Sequence, residues 1–118
     1  MAEIKVSWTK PAEYAQGLGN VNSFLIYRTK ATAHLADAAT ACTALQALAN
    51  TNEVNDGAGV PEAERVAQLT TNLDEVEEYT DTGVGSGSYR YGVFSWNSGG
   101  ANACQLNNGS VSDTVLIP

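Results

Sequence analysis

Apolar and polar residues alternate from the start of the chain: Ile4, Val6 and Trp8 are separated by Lys5, Ser7 and Thr9. Successive side chains of a strand point to opposite faces, so this period of two predicts a half-buried strand from Glu3 to Thr9. Pro11 ends it, because proline has no N–H for a ladder. AQGLGN predicts a loop, and VNSFLIYR, Val21 to Arg28, a second strand. Phe24 and Ile26 fall on one face of that strand, Leu25 and Tyr27 on the other. A strand apolar on both faces is central in its sheet or covered by a further element.

The period then changes. TAHLADAATACTALQALAN holds no glycine or proline, and Leu35, Ala38, Cys42, Leu45 and Ala49 recur at steps of three and four. That spacing is one face of a helix, expected over 34–49, with Asp37 near the N-terminal end where the helix dipole favours an acid. An inserted helix must lay its stripe on something, and the second apolar face of VNSFLIYR is a candidate. Asn, Asp and Gly make Thr51 to Pro61 a loop. The next segment fits two patterns. Val66, Leu69, Leu73 and Val76 suit a helix with Pro61 in its first turn. RVAQLTT suits a strand, and Thr70, Thr71 and Asn72 oppose a helix interior. A strand over 65–70 is the expectation. EVEEYTD predicts another strand, SYRYGVFSW another, and Val111 to Ile117 the last. In SYRYGVFSW, Tyr89, Tyr91, Val93 and Ser95 share one face, and Arg90, Gly92, Phe94 and Trp96 the other. Phe94 and Trp96 then either lie under the inserted helix or form part of a binding surface.

Gly83, Gly85 and Gly87 in GVGSG raise the question of a phosphate cradle. A P-loop needs a lysine after its glycines and a helix after that. Here no lysine follows and the alternation continues as strand, which excludes a P-loop and a dinucleotide fingerprint alike. The glycines instead serve a tight connection between strands, where positive φ is needed.

IKVSWTKP, VNSFLIYR, YTDTGVGSGSYRYGVFSWNSGG and GSVSDTVLIP resemble, in this order, the B, C, E–F and G strands of a fibronectin type III domain. The resemblance implies a single domain over 1–118, mostly β, an antiparallel two-sheet sandwich. It implies a core of Trp8, Phe24, Ile26, Tyr79, Tyr89, Tyr91 and Val93. It makes Tyr89 the corner tyrosine, whose hydroxyl reaches back to upstream backbone. Two departures stand out. Residues 30–64, helix and loop, are an insertion after the second strand. Only two residues precede the first strand, so the family's strand A is missing. Strand A normally pairs with strand B, so Glu3 to Thr9 would present an open edge. The C-terminal DTVLIP, the inserted segment or a partner's strand could close it. Lys5, Ser7 and Thr9 are therefore candidate interface residues, with Phe94 and Trp96 the next candidates.

Composition narrows the function. The 118 residues are 43% hydrophobic and carry a net charge of −7. That suits a globular domain and argues against nucleic acid or an anionic membrane as partner. MAEIKVSW lacks the basic start and apolar core of a signal peptide, so the chain is expected to act without such export or to be part of a longer one. Cys42 and Cys104 lie 62 positions apart, which is no metal pattern; they are two free thiols, a disulfide or, least of all, a reactive nucleophile. The one histidine, His34, sits at the expected helix start with no ligand-spaced partner. No G-x-S-x-G elbow occurs, and the acids cluster in NLDEVEE, a solvated face or a calcium contact. Asn108-Gly109-Ser110 reads as a turn rather than a used glycosylation site. No catalytic, cofactor-binding or metal residues are expected. Two function classes remain. One is a structural protein of a tailed-phage virion, made in the host cytoplasm, with a capsid or tail as protein partner. The other is an extracellular adhesion or spacer module of a secreted bacterial enzyme or surface protein.

Overall fold

The computed structural model describes residues 2–9, 21–71, 77–97, 99–104, 106 and 110–118. The expectations for Pro11, AQGLGN, Leu73, Val76, most of NLDEVEE and Asn108-Gly109 lie outside them. Strands β1 (Ala2–Ser7) and β4 (Glu78–Val84) form a two-stranded antiparallel sheet. The larger sheet runs β3 (Ala63–Leu69), β2 (Ser23–Thr29), β5 (Gly87–Asn97), β6 (Gly100–Ala101), and β7 (Val115–Ile117) pairs with the opening residues of β5. Every pairing is antiparallel. Between β2 and β3 lie helices α1 (Thr32–Ala36) and α2 (Ala38–Asn50). The fold is thus mostly β, in two sheets, with helices inserted after the second strand.

The apolar faces of β2 and β5 account for the layering. Ile26, Tyr89, Tyr91 and Val93 meet Ile4, Val6 and Val84 from the small sheet, and all are buried. Leu25, Tyr27 and Phe94 point the other way and meet Leu45, Leu48 and Ala49 of α2. Each face of the central strands therefore loses water to a different element, which is why β2 reads as a continuous apolar run.

Several boundaries differ from the sequence expectation. The single helix over 34–49 is two helices, broken at Asp37, whose extended backbone (φ −143°) and side chain cap α2. Its Oδ1 accepts from Ala39 N–H at 3.0 Å and its Oδ2 from the Thr40 hydroxyl at 3.0 Å. Aspartate is a strong N-cap, because its side chain satisfies backbone N–H groups that the first turn leaves unpaired. The first strand ends at Ser7, and the third occupies 63–69 rather than 65–70. The last strand is regular only over Val115–Ile117, with Val111 bridging Gly92. Between them Ser112 turns its hydroxyl onto Tyr91 N–H at 2.9 Å, replacing a ladder bond.

Gly92 sets how closely α2 approaches. A Cβ there would come within 2.9 Å of Leu45 Cδ1 and 3.0 Å of Phe94 Cε2. Both neighbours are fully buried and have no room to give. Gly92→Ala is expected to cost roughly 1–3 kcal/mol through overpacking. An unchanged urea midpoint would show that the helix can shift outward.

Candidate functional site

Two places in the fold combine polar groups with a defined geometry: the cluster between the sheets and the outer edge of β1.

The cluster is built on β2, β3, β4 and β5. Arg28 ends the apolar run of β2, and its Nη1 donates to Asp81 Oδ2 at 2.9 Å, joining the two sheets. Its Nε and Nη2 donate to Glu64 Oε1 at 3.1 and 2.7 Å. Tyr91 Oη donates to the same Asp81 oxygen at 2.6 Å, and the Arg28 guanidinium lies 5.6 Å from the Tyr89 ring centroid. Burial disfavours the charged guanidinium, but its hydrogen bonds to Glu64 and the charges of Asp81 and Glu64 outweigh that and raise its pKa. Burial also raises the Tyr91 phenol, and the hydrogen bond to Asp81 and its charge raise it further. Tyr27, bonded to the Glu53 carbonyl, is raised by burial. Each of these groups is engaged, so the cluster clamps two sheets.

The shifts carry a pH dependence. A folded-state phenol pKa above the unfolded value means that the folded protein holds the proton more tightly. The contribution is complete below the unfolded tyrosine value of about 10 and is lost as pH rises through the folded value. Denaturation midpoints are expected to fall as pH passes about 10, and to fall less steeply in Tyr91→Phe. Equal slopes in the two proteins would remove Tyr91 from this account.

A buried cation ties the insertion down. Arg90 is 7% exposed and donates to the carbonyls of His34 at 3.0 Å, Leu35 at 2.7 Å and Ser112 at 2.9 Å. It thereby satisfies carbonyls at the end of α1, where a cation is favoured. His34 Nδ1 shares a 2.7 Å hydrogen bond with the Thr29 hydroxyl. Cys42 on α2 and Cys104 after β6 form a disulfide, with Cα atoms 5.7 Å apart.

The edge of β1 is organised by its pairing with β4. Trp8 N–H donates to Glu77 O at 2.9 Å. Hydrogen-bonded pairs alternate along an antiparallel ladder, so Val6 and Ile4 also bond inward, to Tyr79 and Asp81, while the N–H groups of Glu3, Lys5 and Ser7 point away from β4. Their side chains are exposed, and Lys5 Nζ reaches Glu78 Oε2 at 2.9 Å. Among the described residues nothing pairs with that edge. DTVLIP lies along β5, and the helices cover the outer face of the large sheet. On β4, three residue steps from Asp81 to Val84 oppose two from Ile4 to Ala2, and Gly83 takes φ +71°. This irregularity interrupts the outer edge of β4, as bulges do.

The residues singled out from sequence fall as follows. Phe24 and Ile26, on β2, and Tyr89, Tyr91 and Val93, on β5, are buried. Trp8 and Tyr79 are only half-buried, packed against the inter-sheet core, with Trp8 5.5 Å from the Phe24 ring. Trp8 lies past the end of β1. Tyr89 Oη donates to Gly85 O at 3.1 Å, four residues upstream. Phe94 is fully buried between Tyr27 and α2, so it is no exposed interface residue; Trp96 is half-buried against the same core and pairs with Ala101 across the ladder. Lys5, Ser7 and Thr9 are exposed. Gly83 and Gly87 have positive φ, at +71° and +144°. Sequence reasoning misses Arg28, Asp81 and Arg90: the two arginines are signalled by a charge within an apolar strand, whereas Asp81, in the polar EVEEYTD, carries no such signal. Among the described residues no three His, Cys, Asp or Glu groups stand close enough to hold a metal, and no helix is long and apolar enough to cross a membrane. Comparison of the chain with protein-family models, curated proteins and solved structures found no match.

Proposed function

We propose that this chain is a non-enzymatic structural module of a larger protein assembly, of the fibronectin type III-like kind, decorating the capsid or tail of a tailed-phage virion. The observation that carries the reading is the outer edge of β1: an exposed row of backbone donors and acceptors that no described residue pairs. Such an edge recruits an extended chain, main-chain bonds supplying affinity. The family likeness is supported by β1 and β4 standing in one sheet as strands B and E, and β2, β5 and β7 in the other as C, F and G. The Tyr89–Gly85 hydrogen bond supports it further, because it has the form of a tyrosine corner. With Phe94 buried, Lys5, Ser7 and Thr9 are the stronger interface candidates.

The test is fractionation of particles from cells carrying the gene. Co-sedimentation of the chain with assembled particles through a density gradient is expected. Its recovery only in the particle-free supernatant would falsify the virion reading. The Cys42–Cys104 disulfide favours a second reading, an extracellular adhesion or spacer module, because disulfides persist where the surroundings oxidise. That reading expects the chain in the culture medium without particles.

A further inference from the structure

The geometry points to a second copy of this chain as the strand that pairs with β1, in an antiparallel two-fold dimer centred on Ile4. The inference rests on the reading of β1 as a docking edge and names what docks there.

Parity limits the register. Directly opposite residues of an antiparallel pair lie on the same face, so only registers that set odd residues against odd residues keep Ile4 and Val6 in the core. Centring the two-fold on Ile4 sets Glu3 opposite Lys5 of the second copy, and Lys5 opposite its Glu3. Both residues carry outward N–H groups, so these are the hydrogen-bonded pairs of the new ladder. Opposite charges directly across a ladder attract, and like charges repel. Centring on Lys5 instead would set the two lysines against each other. The segment Glu3-Ile4-Lys5 thus complements its own reverse in one register and opposes itself in the next. The existing Lys5–Glu78 ion pair does not compete strongly. Its side chains are 62% and 60% exposed, and such pairs hold weakly. The irregularity on β4 makes β1 the better edge of the two. A two-fold contact also closes on itself and ends with two copies, forming one four-stranded sheet ordered β4-β1-β1-β4 across the pair.

Charge reversal tests both the contact and its register. Sedimentation velocity over micromolar to millimolar concentration should show a dimer in the parent protein. Glu3→Lys alone and Lys5→Glu alone should each weaken it by at least about tenfold. An equimolar mixture of the two variants should regain dimers, because every cross-strand pair is then again of opposite sign. Both positions are solvent-exposed, and a far-UV circular dichroism spectrum matching the parent checks that each variant folds. A parent that stays monomeric throughout, a dimer indifferent to the reversals, or variants that fail to recombine would each overturn the inference. Lys5→Pro, which deletes an outward N–H, separates this failure from that of the edge reading. A monomeric parent whose Lys5→Pro variant no longer joins its particle overturns self-pairing and leaves the edge in use. Lys5→Pro joining particles and dimerising like the parent overturns both.

Discussion

Asp81→Ala is expected to cost about 3–5 kcal/mol of folding stability, the range found when one member of a buried ion pair is removed. Asp81 is 6% exposed and accepts from Arg28 and Tyr91 through a single oxygen. Alanine would leave the Tyr91 hydroxyl, on a side chain only 2% exposed, without its acceptor. It would also leave Arg28 with Glu64 alone, which places the effect toward the lower end of that range. The substitution acts between the sheets, so β1 and β4 should loosen while α2 stays docked. Guanidinium denaturation of Asp81→Ala, Tyr91→Phe and the double variant measures this. A loss below about 1 kcal/mol for Asp81→Ala, the scale of an exposed pair, would show that water reaches the cluster.

Reducing the Cys42–Cys104 disulfide is expected to cost about 4 kcal/mol, from the loop-closure entropy of the 62-residue separation it spans. The loss is expected chiefly through the unfolded state. Leu45, Leu48 and Ala49 remain buried on Leu25, Tyr27 and Phe94 without it. Gln46 also holds the Cys104 backbone N–H at 3.1 Å. The reduced protein, or Cys42→Ala with Cys104→Ala, should therefore keep its far-UV spectrum at moderate temperature and melt earlier. Equal melting temperatures with and without reductant would mean that strain in the bridge cancels its entropic gain. Helix loss on reduction would mean that the bridge, and not the apolar stripe, docks α2.

The strand pattern was legible because burial in this fold follows the sequence period closely. β1 alternates, β2 is apolar on both faces, and the inserted stripe lies on the face that had no other cover. What was not legible depended on contacts far apart in the chain. Asp37 reads equally as a first-turn acid and as a cap, and only the turn made by α1 decides between them. Arg28 and Arg90 stand as lone charges within apolar strands, and their role is hidden until the carboxylates and carbonyls around them are known. Gly92 looks like a weak strand residue until Leu45 is placed above it. Phe94 and Trp96 could face helix or solvent, and the approach permitted by Gly92 buried the first. The inward and outward N–H groups of β1 could be sorted only once its register with β4 was known.

The two faces of the large sheet are closed by covers of unequal hold. One is a helix pair tied by Arg90 and a covalent bridge. The other is a two-stranded sheet held by its apolar side chains and one ion-pair cluster. Opening should therefore be hierarchical, because regions with fewer anchors unfold at lower free energy than the whole. In amide hydrogen exchange, the amides bonded between β1 and β4 should lose protection first, and those between β2 and β5, dry on both sides, last. The edge proposed to receive another chain is then carried by the part of the molecule that detaches most readily. A contact made there would slow local opening of the small sheet before it altered global unfolding.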